Sequence, residues 1–192
     1  MNAKHFYFDV PHSTGNFISN VLACIAVLNV LNLNLTKINK KFKNFTLPSG
    51  RGDAKFVKKF KRRFKFIDES YNANPLSMAT AIKNMHNYKI KAKSKKIAFL
   101  GDMLELGKKS KKFHKELSGI INESDIDKVF VYGKYIRETF KNLSEYKKGK
   151  IFNNLNEAYY YFSKFINNND LLMIKGSNAT GLNQFSKNIK RI

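Results

Sequence analysis

Two hydrophobic patterns divide the sequence into two parts. Residues 16–31 are apolar almost throughout, which predicts one buried helix. From Lys55 onward, short apolar runs alternate with stretches of helical period. Between these patterns, residues 46–53 contain one Pro and two Gly, which predict a turn or hinge. We therefore place a domain boundary here and expect residues 1–47 and 48–192 to form separate domains.

The second part predicts an α/β domain. Strands separated by helices form βαβ units, and runs that are apolar on both sides are typical of strands covered on both faces. We therefore predict a Rossmann-like α/β fold, a mainly parallel sheet flanked by helices, with a short helical segment in front of it. The predicted strands are residues 55–60, 64–68, 96–100, 128–132, 150–152 and 171–174. The predicted helices after the first are residues 36–43, 75–88, 108–122, 136–143, 157–167 and 183–189.

The charge is strongly unbalanced. Lys and Arg number 36 against 14 Asp and Glu, a net charge of +22, which suits a polyanionic partner. Nearly all of these cations are Lys, and Lys, Asn, Ile and Phe share AT-rich codons, so genome composition explains the same profile. The alternative function is a basic nucleic-acid-binding module, supported by interleaved basic and aromatic residues at 55–65. The same stretch also predicts a β-hairpin that turns at 61–63, with Phe and Val inward and Lys outward.

Cysteine and histidine usage argues against metal and disulfide chemistry. Cys24 is the single cysteine, and the four histidines lack ligand spacing, so we predict no metal ligands. The apolar run at 17–31 is shorter than the roughly 20 residues of a membrane span. We therefore predict no membrane span and a cytoplasmic location.

Candidate binding residues follow the predicted strands directly. Ligands of mainly parallel sheets bind beyond the carboxyl ends of the strands, which selects loops 68–75, 101–107 and 175–181. The first loop reads DESYNANP. Its Asp68 carboxylate suits a ribose diol. Asn72, Asn74 and Tyr71 offer amide and hydroxyl groups, although the Asn–Pro pair also suits a helix cap.

Three further strings carry candidate chemistry. Arg51 lies between two glycines in the hinge, and a guanidinium suits phosphate oxygens. The string GDMLELG at 101–107 does not fit a phosphate-binding P-loop, because five residues separate its glycines and Lys109 replaces the required Ser or Thr. Lys175, in the string Lys-Gly-Ser that ends at Ser177, is suited to an anionic group.

Together these strings resemble the Mur ligase family, in particular the branch that adds D-alanyl-D-alanine. The matches extend in family order from about residue 14 to residue 178. The run that contains Asn20 resembles the start of the last helix of the family's central domain, with Asn16 where His is usual and Phe17 where Asn is common. A folate-polyglutamating or other Mur-type ligase is the alternative within the superfamily. The near-complete DESYNANP and GDMLELG strings favour the D-alanyl-D-alanine branch.

The resemblance implies site roles and substrates. It implies that residues 1–47 end a central domain and that residues 48–192 form a C-terminal domain. The implied cofactors are ATP and Mg²⁺, and the implied substrates are UDP-MurNAc-tripeptide and D-alanyl-D-alanine. The implied nucleotide-binding residues are Asn20, Arg51, Asp68 and Asn72. The implied substrate-binding residues are Tyr71, Asn74, Lys175 and Ser177.

The family's P-loop and metal ligands have no counterpart in this sequence, and no catalytic residue is assigned. We therefore expect an incomplete enzyme, either a fragment of a longer ligase or a separately encoded half. On this interpretation the chain is inactive without N-terminal and central domains, and it binds no specific nucleic acid.

Overall fold

The computed structural model describes residues 5–10, 15–43 and 48–191. The chain divides into two compact units, Met1–Leu47 and Pro48–Ile192. In the first unit, helix α1 spans Gly15–Val30 and helix α2 spans Leu35–Lys43. None of the described helices is long and apolar enough to cross a membrane.

Helix α1 has the predicted extent but not the predicted burial. Only Val21 is buried among its described side chains, and Val30 is 78% exposed. Cys24 is exposed as well. The helix is apolar nearly all round, whereas the described part of this unit offers one other helix to cover it. The prediction of a buried helix is therefore wrong for this chain as it stands. Other exposed large apolar residues of this unit are Phe6, Tyr7, Ile18, Leu22, Val27, Leu31 and Leu33.

The second unit contains the predicted α/β sheet. Its strands are β1 (Asp53–Lys59), β2 (Arg62–Glu69), β3 (Lys96–Gly101), β4 (Lys128–Tyr132), β5 (Lys148–Phe152) and β6 (Leu171–Lys175). They lie in the order β1-β2-β6-β3-β4-β5, and every neighbouring pair except β1 and β2 is parallel. The helices are α3 (Pro75–His86), α4 (Ser110–Asn122), α5 (Ile136–Lys141), α6 (Leu155–Phe165) and α7 (Leu182–Lys190). The predicted fold class is confirmed.

Helices cover the sheet on both faces. Alternate strand residues such as Leu100 and Val131 pack with α3, α4 and α5. Their neighbours, including Phe99 and Phe130, pack with α6 and α7 in an aromatic core. Because both faces are buried, the central strands are apolar throughout. Helix α6 begins two residues earlier than predicted, since the Asn154 side chain accepts a hydrogen bond from the third helical N–H.

The basic stretch forms the predicted hairpin, with two differences. The turn is the pair Phe60 and Lys61, both with positive φ, and it is tighter than predicted because a two-residue turn of this kind matches the twist of the strands. Val57 is buried, but Phe56 is 48% exposed and lies under the Arg63 guanidinium, 4.3 Å from its Cζ atom. Successive strand residues face opposite sides, so Phe56 and Val57 cannot both point inward.

Candidate functional site

The three predicted loops meet at one edge of the sheet. Strand β6 lies between β2 and β3 and is parallel to both, so the loops after these strands leave side by side. Ser177 joins them. Its Oγ atom accepts a hydrogen bond from the N–H of Leu104 at 2.9 Å and donates to the carbonyl of Ala73 at 3.4 Å, and its own N–H donates to the carbonyl of Asp102 at 3.0 Å. Ser177 is buried and acts here as a junction.

The hinge packs against the DESYNANP segment. Gly52 donates its N–H to the carbonyl of Asp68 at 2.8 Å, and the Gly50 carbonyl accepts from the N–H of Tyr71 at 3.3 Å. Gly50 has a φ of +85°, and a Cβ atom there would lie 2.9 Å from Tyr71 Cβ. Glycine is therefore required both for the backbone conformation and for the close approach.

This packing places Arg51 over the Tyr71 ring. The Arg51 Cζ atom lies 4.3 Å from the ring centroid, and both side chains are exposed. A guanidinium at this distance is attracted by the face of the ring. Within the described part of the chain, no acceptor takes a hydrogen bond from Arg51. Its N–H groups therefore face solvent on an aromatic support.

Lys175 supplies a buried cation near Arg51. Its Nζ atom donates to the Asn72 carbonyl at 3.0 Å and to Glu69 Oε2 at 3.3 Å. Burial lowers the pKa of Lys175, and the nearby Arg51 charge adds to the effect, although the Glu69 carboxylate opposes both. We call Arg51, Tyr71, Glu69 and Lys175 the hinge cluster.

Asp68 is occupied by internal partners. Its carboxylate is buried and accepts from the Ser70 hydroxyl at 2.6 Å and from Lys190 Nζ at 2.5 Å. Burial raises its pKa, but the hydrogen bonds from Lys190 and Ser70 outweigh that effect and hold the pKa below its usual value. Lys190 also donates to Ser49 Oγ at 2.7 Å. Asp68 thus ties the hinge to α7, and a ribose reaches this carboxylate only by displacing one of these partners.

The remaining predicted residues lie in different settings. Asn72 is exposed, and its Oδ1 atom accepts from the N–H of Ala73 at 2.8 Å. Asn74 is the N-cap of α3 and forms a reciprocal pair of hydrogen bonds with Ser77, so the capping alternative is confirmed. Asn20 lies at an exposed position of α1 in the first unit. The side chains of Asn16 and Phe17 lie outside the described residues.

The GDMLELG segment has a structural task that the sequence does not reveal. Asp102 accepts hydrogen bonds from the backbone N–H groups of Lys134, Tyr135 and Ile136 at 2.9, 2.9 and 2.7 Å. It thereby holds the turn between β4 and α5, where Gly133 has a φ of +139°. These partners lie more than 30 residues away, and no local pattern marks such a contact.

His114, on helix α4, holds the GDMLELG segment in place. It is fully buried, and its Nε2 atom accepts the Met103 N–H at 2.9 Å. Its Nδ1 atom lies 2.7 Å from the Ser110 carbonyl, which assigns the proton to Nδ1. Burial lowers the pKa of His114 more than the Ser110 carbonyl and Asp102 raise it.

The His114 environment predicts a pH-dependent stability. The unfolded histidine titrates near about 6.5, above the folded group, so the unfolded chain takes up the proton first. The free energy of unfolding therefore falls as pH drops through and below about 6.5. Urea unfolding at pH 7.5 and 5.5 is expected to show a larger loss for the unsubstituted chain than for His114→Gln, which shares every other titrating group. Equal losses in both proteins would contradict this assignment.

The described residues contain no group of three or more His, Cys, Asp and Glu side chains placed to hold a metal ion. This edge of the sheet presents the Arg51 guanidinium, which lies on the Tyr71 ring and donates to no described acceptor. The buried Lys175 ammonium group lies nearby. This arrangement can bind an anion that carries a flat ring, such as a nucleotide.

Comparison with known proteins identifies the family of this chain. The family described as "Mur ligase, glutamate ligase domain" matches residues 55–178, so the chain belongs to the Mur ligase family. Within this family, the chain is 26% identical over 184 residues to the UDP-N-acetylmuramoyl-tripeptide–D-alanyl-D-alanine ligase of Rickettsia prowazekii (strain Madrid E), covering 96% of this chain and 39% of that protein.

Two solved structures share the fold. MurF from Acinetobacter baumannii superposes with a TM-score of 0.77 at 22% identity, over 95% of this chain and 39% of that one. MurF from Thermotoga maritima, in complex with ADP, gives a TM-score of 0.71 at 22% identity, over 93% and 39%. The chain therefore spans about two fifths of the length of these relatives.

Proposed function

We propose that this chain is the C-terminal portion of an ATP-dependent ligase that adds D-alanyl-D-alanine to UDP-MurNAc-tripeptide in peptidoglycan synthesis in the cytoplasm. The observation that carries the proposal is the hinge cluster. Arg51 offers free donors on the Tyr71 ring, next to Lys175, at the carboxyl edge of the sheet.

In this proposal the hinge cluster binds the nucleotide from one side. Arg51 contacts phosphate oxygens, and Asn72 contributes its exposed amide. Asp68 orients the ribose through the hinge that it anchors. Asn20, in the first unit, is proposed separately as a nucleotide-binding residue. The Thermotoga relative binds ADP, which supports a nucleotide ligand for the fold.

The amine substrate is proposed to bind at the same edge. Lys175 contributes its ammonium group, which it shares with Glu69, and Tyr71 contributes its exposed hydroxyl. Ser177 and Asn74 hold the loops that carry these groups, since both are engaged in hydrogen bonds within the fold. Lys175 ends strand β6, and the other three residues follow β2 or β6, whose carboxyl ends lie side by side.

The chemistry of activation requires residues beyond these. In the family, ATP with Mg²⁺ converts the peptide carboxylate into an acyl phosphate and leaves ADP, and the dipeptide amine then attacks the acyl phosphate to form the amide and release phosphate. The hinge cluster fits the nucleotide, but the sequence contains no P-loop string, and the described residues form no metal-ligand group. We therefore propose that N-terminal and central ligase domains supply these parts and cover the exposed apolar face of α1. Closure about the hinge would bring Arg51 to the phosphates.

An ADP-release assay tests this function. With ATP, Mg²⁺, UDP-MurNAc-tripeptide and D-alanyl-D-alanine, the chain alone is expected to give no turnover. A chimera in which residues 15–192 replace the corresponding part of the Rickettsia ligase is expected to release ADP only when the dipeptide is present. Turnover by the chain alone, or a chimera that folds but does not respond to the dipeptide, would contradict the proposal.

A further inference from the structure

A polar cleft, separate from the hinge cluster, lies at the carboxyl edge of the sheet. It has a volume of about 540 Å³. Its walls come from the segments after β3, β4 and β5 and from the 3₁₀ turn Asn178–Thr180 that follows β6. It shares no lining residue with the hinge cluster. We call it the Arg137 cleft, after one of the side chains that line it.

Arg137 is held in a fixed orientation. Its Nε atom donates to the Gly133 carbonyl at 3.1 Å, and its Nη2 atom donates to Asn153 Oδ1 at 2.9 Å. A guanidinium has five N–H groups, so three remain for a ligand, and no described residue accepts a hydrogen bond from them. A planar group positioned in this way loses little conformational freedom when it binds a carboxylate.

The acidic residue of the cleft does not cancel this charge. Asp102 is buried, and its two oxygens accept the three backbone N–H groups that follow Gly133. Lys134, by contrast, is exposed on the same wall. The charge that the cleft presents to solvent is therefore positive, which favours an anionic ligand.

The rest of the lining limits the size of the ligand. Leu104 and Ala179 supply short apolar surfaces beside the cationic wall. A small peptide with methyl side chains and a free carboxylate matches this combination of apolar and positive groups. A nucleotide matches it less well, because Arg137 lies over no aromatic ring of a described residue as Arg51 lies over Tyr71, although the half-buried Tyr132 lines the cleft.

We propose that the Arg137 cleft binds the carboxylate end of the dipeptide acceptor, with Arg137 as its ion-pair partner and Leu104 and Ala179 against its methyl groups. This assignment rests on the proposed ligase function and adds a specificity site to it. Ser177 links the cleft to the hinge cluster, since its N–H binds Asp102 and its hydroxyl binds Ala73. The acceptor would thus be held by one end while its amine points along the same sheet edge.

Ligand binding to the unsubstituted chain tests whether the Arg137 cleft recognises the carboxylate of the dipeptide. The full 192-residue chain is titrated with D-alanyl-D-alanine and, separately, with D-alanyl-D-alanine amide, while backbone NMR shifts are followed. The dipeptide is expected to move the signals of Gly133, Asn153 and Thr180. The amide, which lacks the carboxylate, is expected to bind roughly tenfold or more weakly. Equal affinities, or shifts located elsewhere, would overturn the assignment.

The variant Arg137→Met tests the role of Arg137 in binding the dipeptide. Arg137→Met is expected to weaken dipeptide binding by about tenfold or more and to leave ADP-induced shifts at Gly50, Gly52 and Tyr71 unchanged. Lys164→Met, which removes a charge from an exposed position of α6, serves as the matched control. An unchanged dipeptide affinity in Arg137→Met would overturn the role of Arg137.

Titrations with ADP and with the dipeptide test the nucleotide assignment and the cleft assignment separately. ADP binding without dipeptide binding contradicts the cleft alone, and dipeptide binding without ADP binding contradicts the nucleotide assignment alone. If Arg137→Met does not fold, the comparison of dipeptide and amide on the unsubstituted chain decides the question.

Discussion

Replacing Asp102 by alanine is expected to lower the free energy of unfolding by about 3 kcal/mol. Three backbone N–H groups, those of Lys134, Tyr135 and Ile136, lose a charged acceptor at a position that is 6% exposed. A buried donor that is left without a partner costs about 1–3 kcal/mol, and water replaces only some of the lost bonds. Urea unfolding followed by circular dichroism measures the difference.

A graded series separates the hydrogen bonds from the charge. Asp102→Asn keeps one acceptor oxygen and is expected to give an intermediate loss of stability. Glu123→Ala removes an exposed carboxylate at the end of α4 and is expected to change the free energy of unfolding by less than about 0.5 kcal/mol. A loss below about 1 kcal/mol for Asp102→Ala would show that Asp102 does not hold this turn.

The sequence predicts the strands and helices because their patterns are local. A parallel sheet covered on both faces requires apolar strands, and the central strands β3, β4 and β6 show this pattern within their own segments. The order of the strands is not local. Strand β6 enters between β2 and β3, and this pairing joins residues about 100 positions apart. It brings Lys175 to Asn72, which no pattern within either segment could indicate.

The wrong predictions have a common cause. Both the burial of α1 and the inward position of Phe56 were inferred from hydrophobicity alone. Hydrophobicity identifies residues that gain by leaving water, but the neighbouring elements decide whether a cover exists. Phe56 finds a partial cover in the Arg63 and Lys65 side chains, whereas α1 has few elements beside it within the first unit.

The sequence predicted which loops lie together more accurately than the contacts of individual side chains. The rule about strand ends selected three loops that the structure places side by side, and no described acceptor takes a hydrogen bond from Arg51. Asp68 and Ser177 instead make hydrogen bonds within the protein. Lys190, which anchors Asp68 from 122 residues away, was not singled out because it is one of many lysines in a basic chain.

Replacing Arg51 by alanine is expected to weaken ADP binding by roughly tenfold or more, because hydrogen bonds to a charged group contribute about 1.5–3 kcal/mol each. Arg51→Lys is expected to recover only part of the loss, since an ammonium group cannot form the paired bonds of a guanidinium.

The measurement is an ADP titration of the full chain at two salt concentrations, followed at the backbone signals of Gly50, Gly52 and Tyr71. Arg62→Ala is the matched control, because it removes the same charge from the exposed hairpin turn. If the net charge of +22 alone attracted the nucleotide, both variants would bind ADP equally and the difference would vanish with salt. A loss confined to Arg51→Ala would instead place the nucleotide at the hinge, where the Tyr71 ring and the two glycines hold this guanidinium toward solvent.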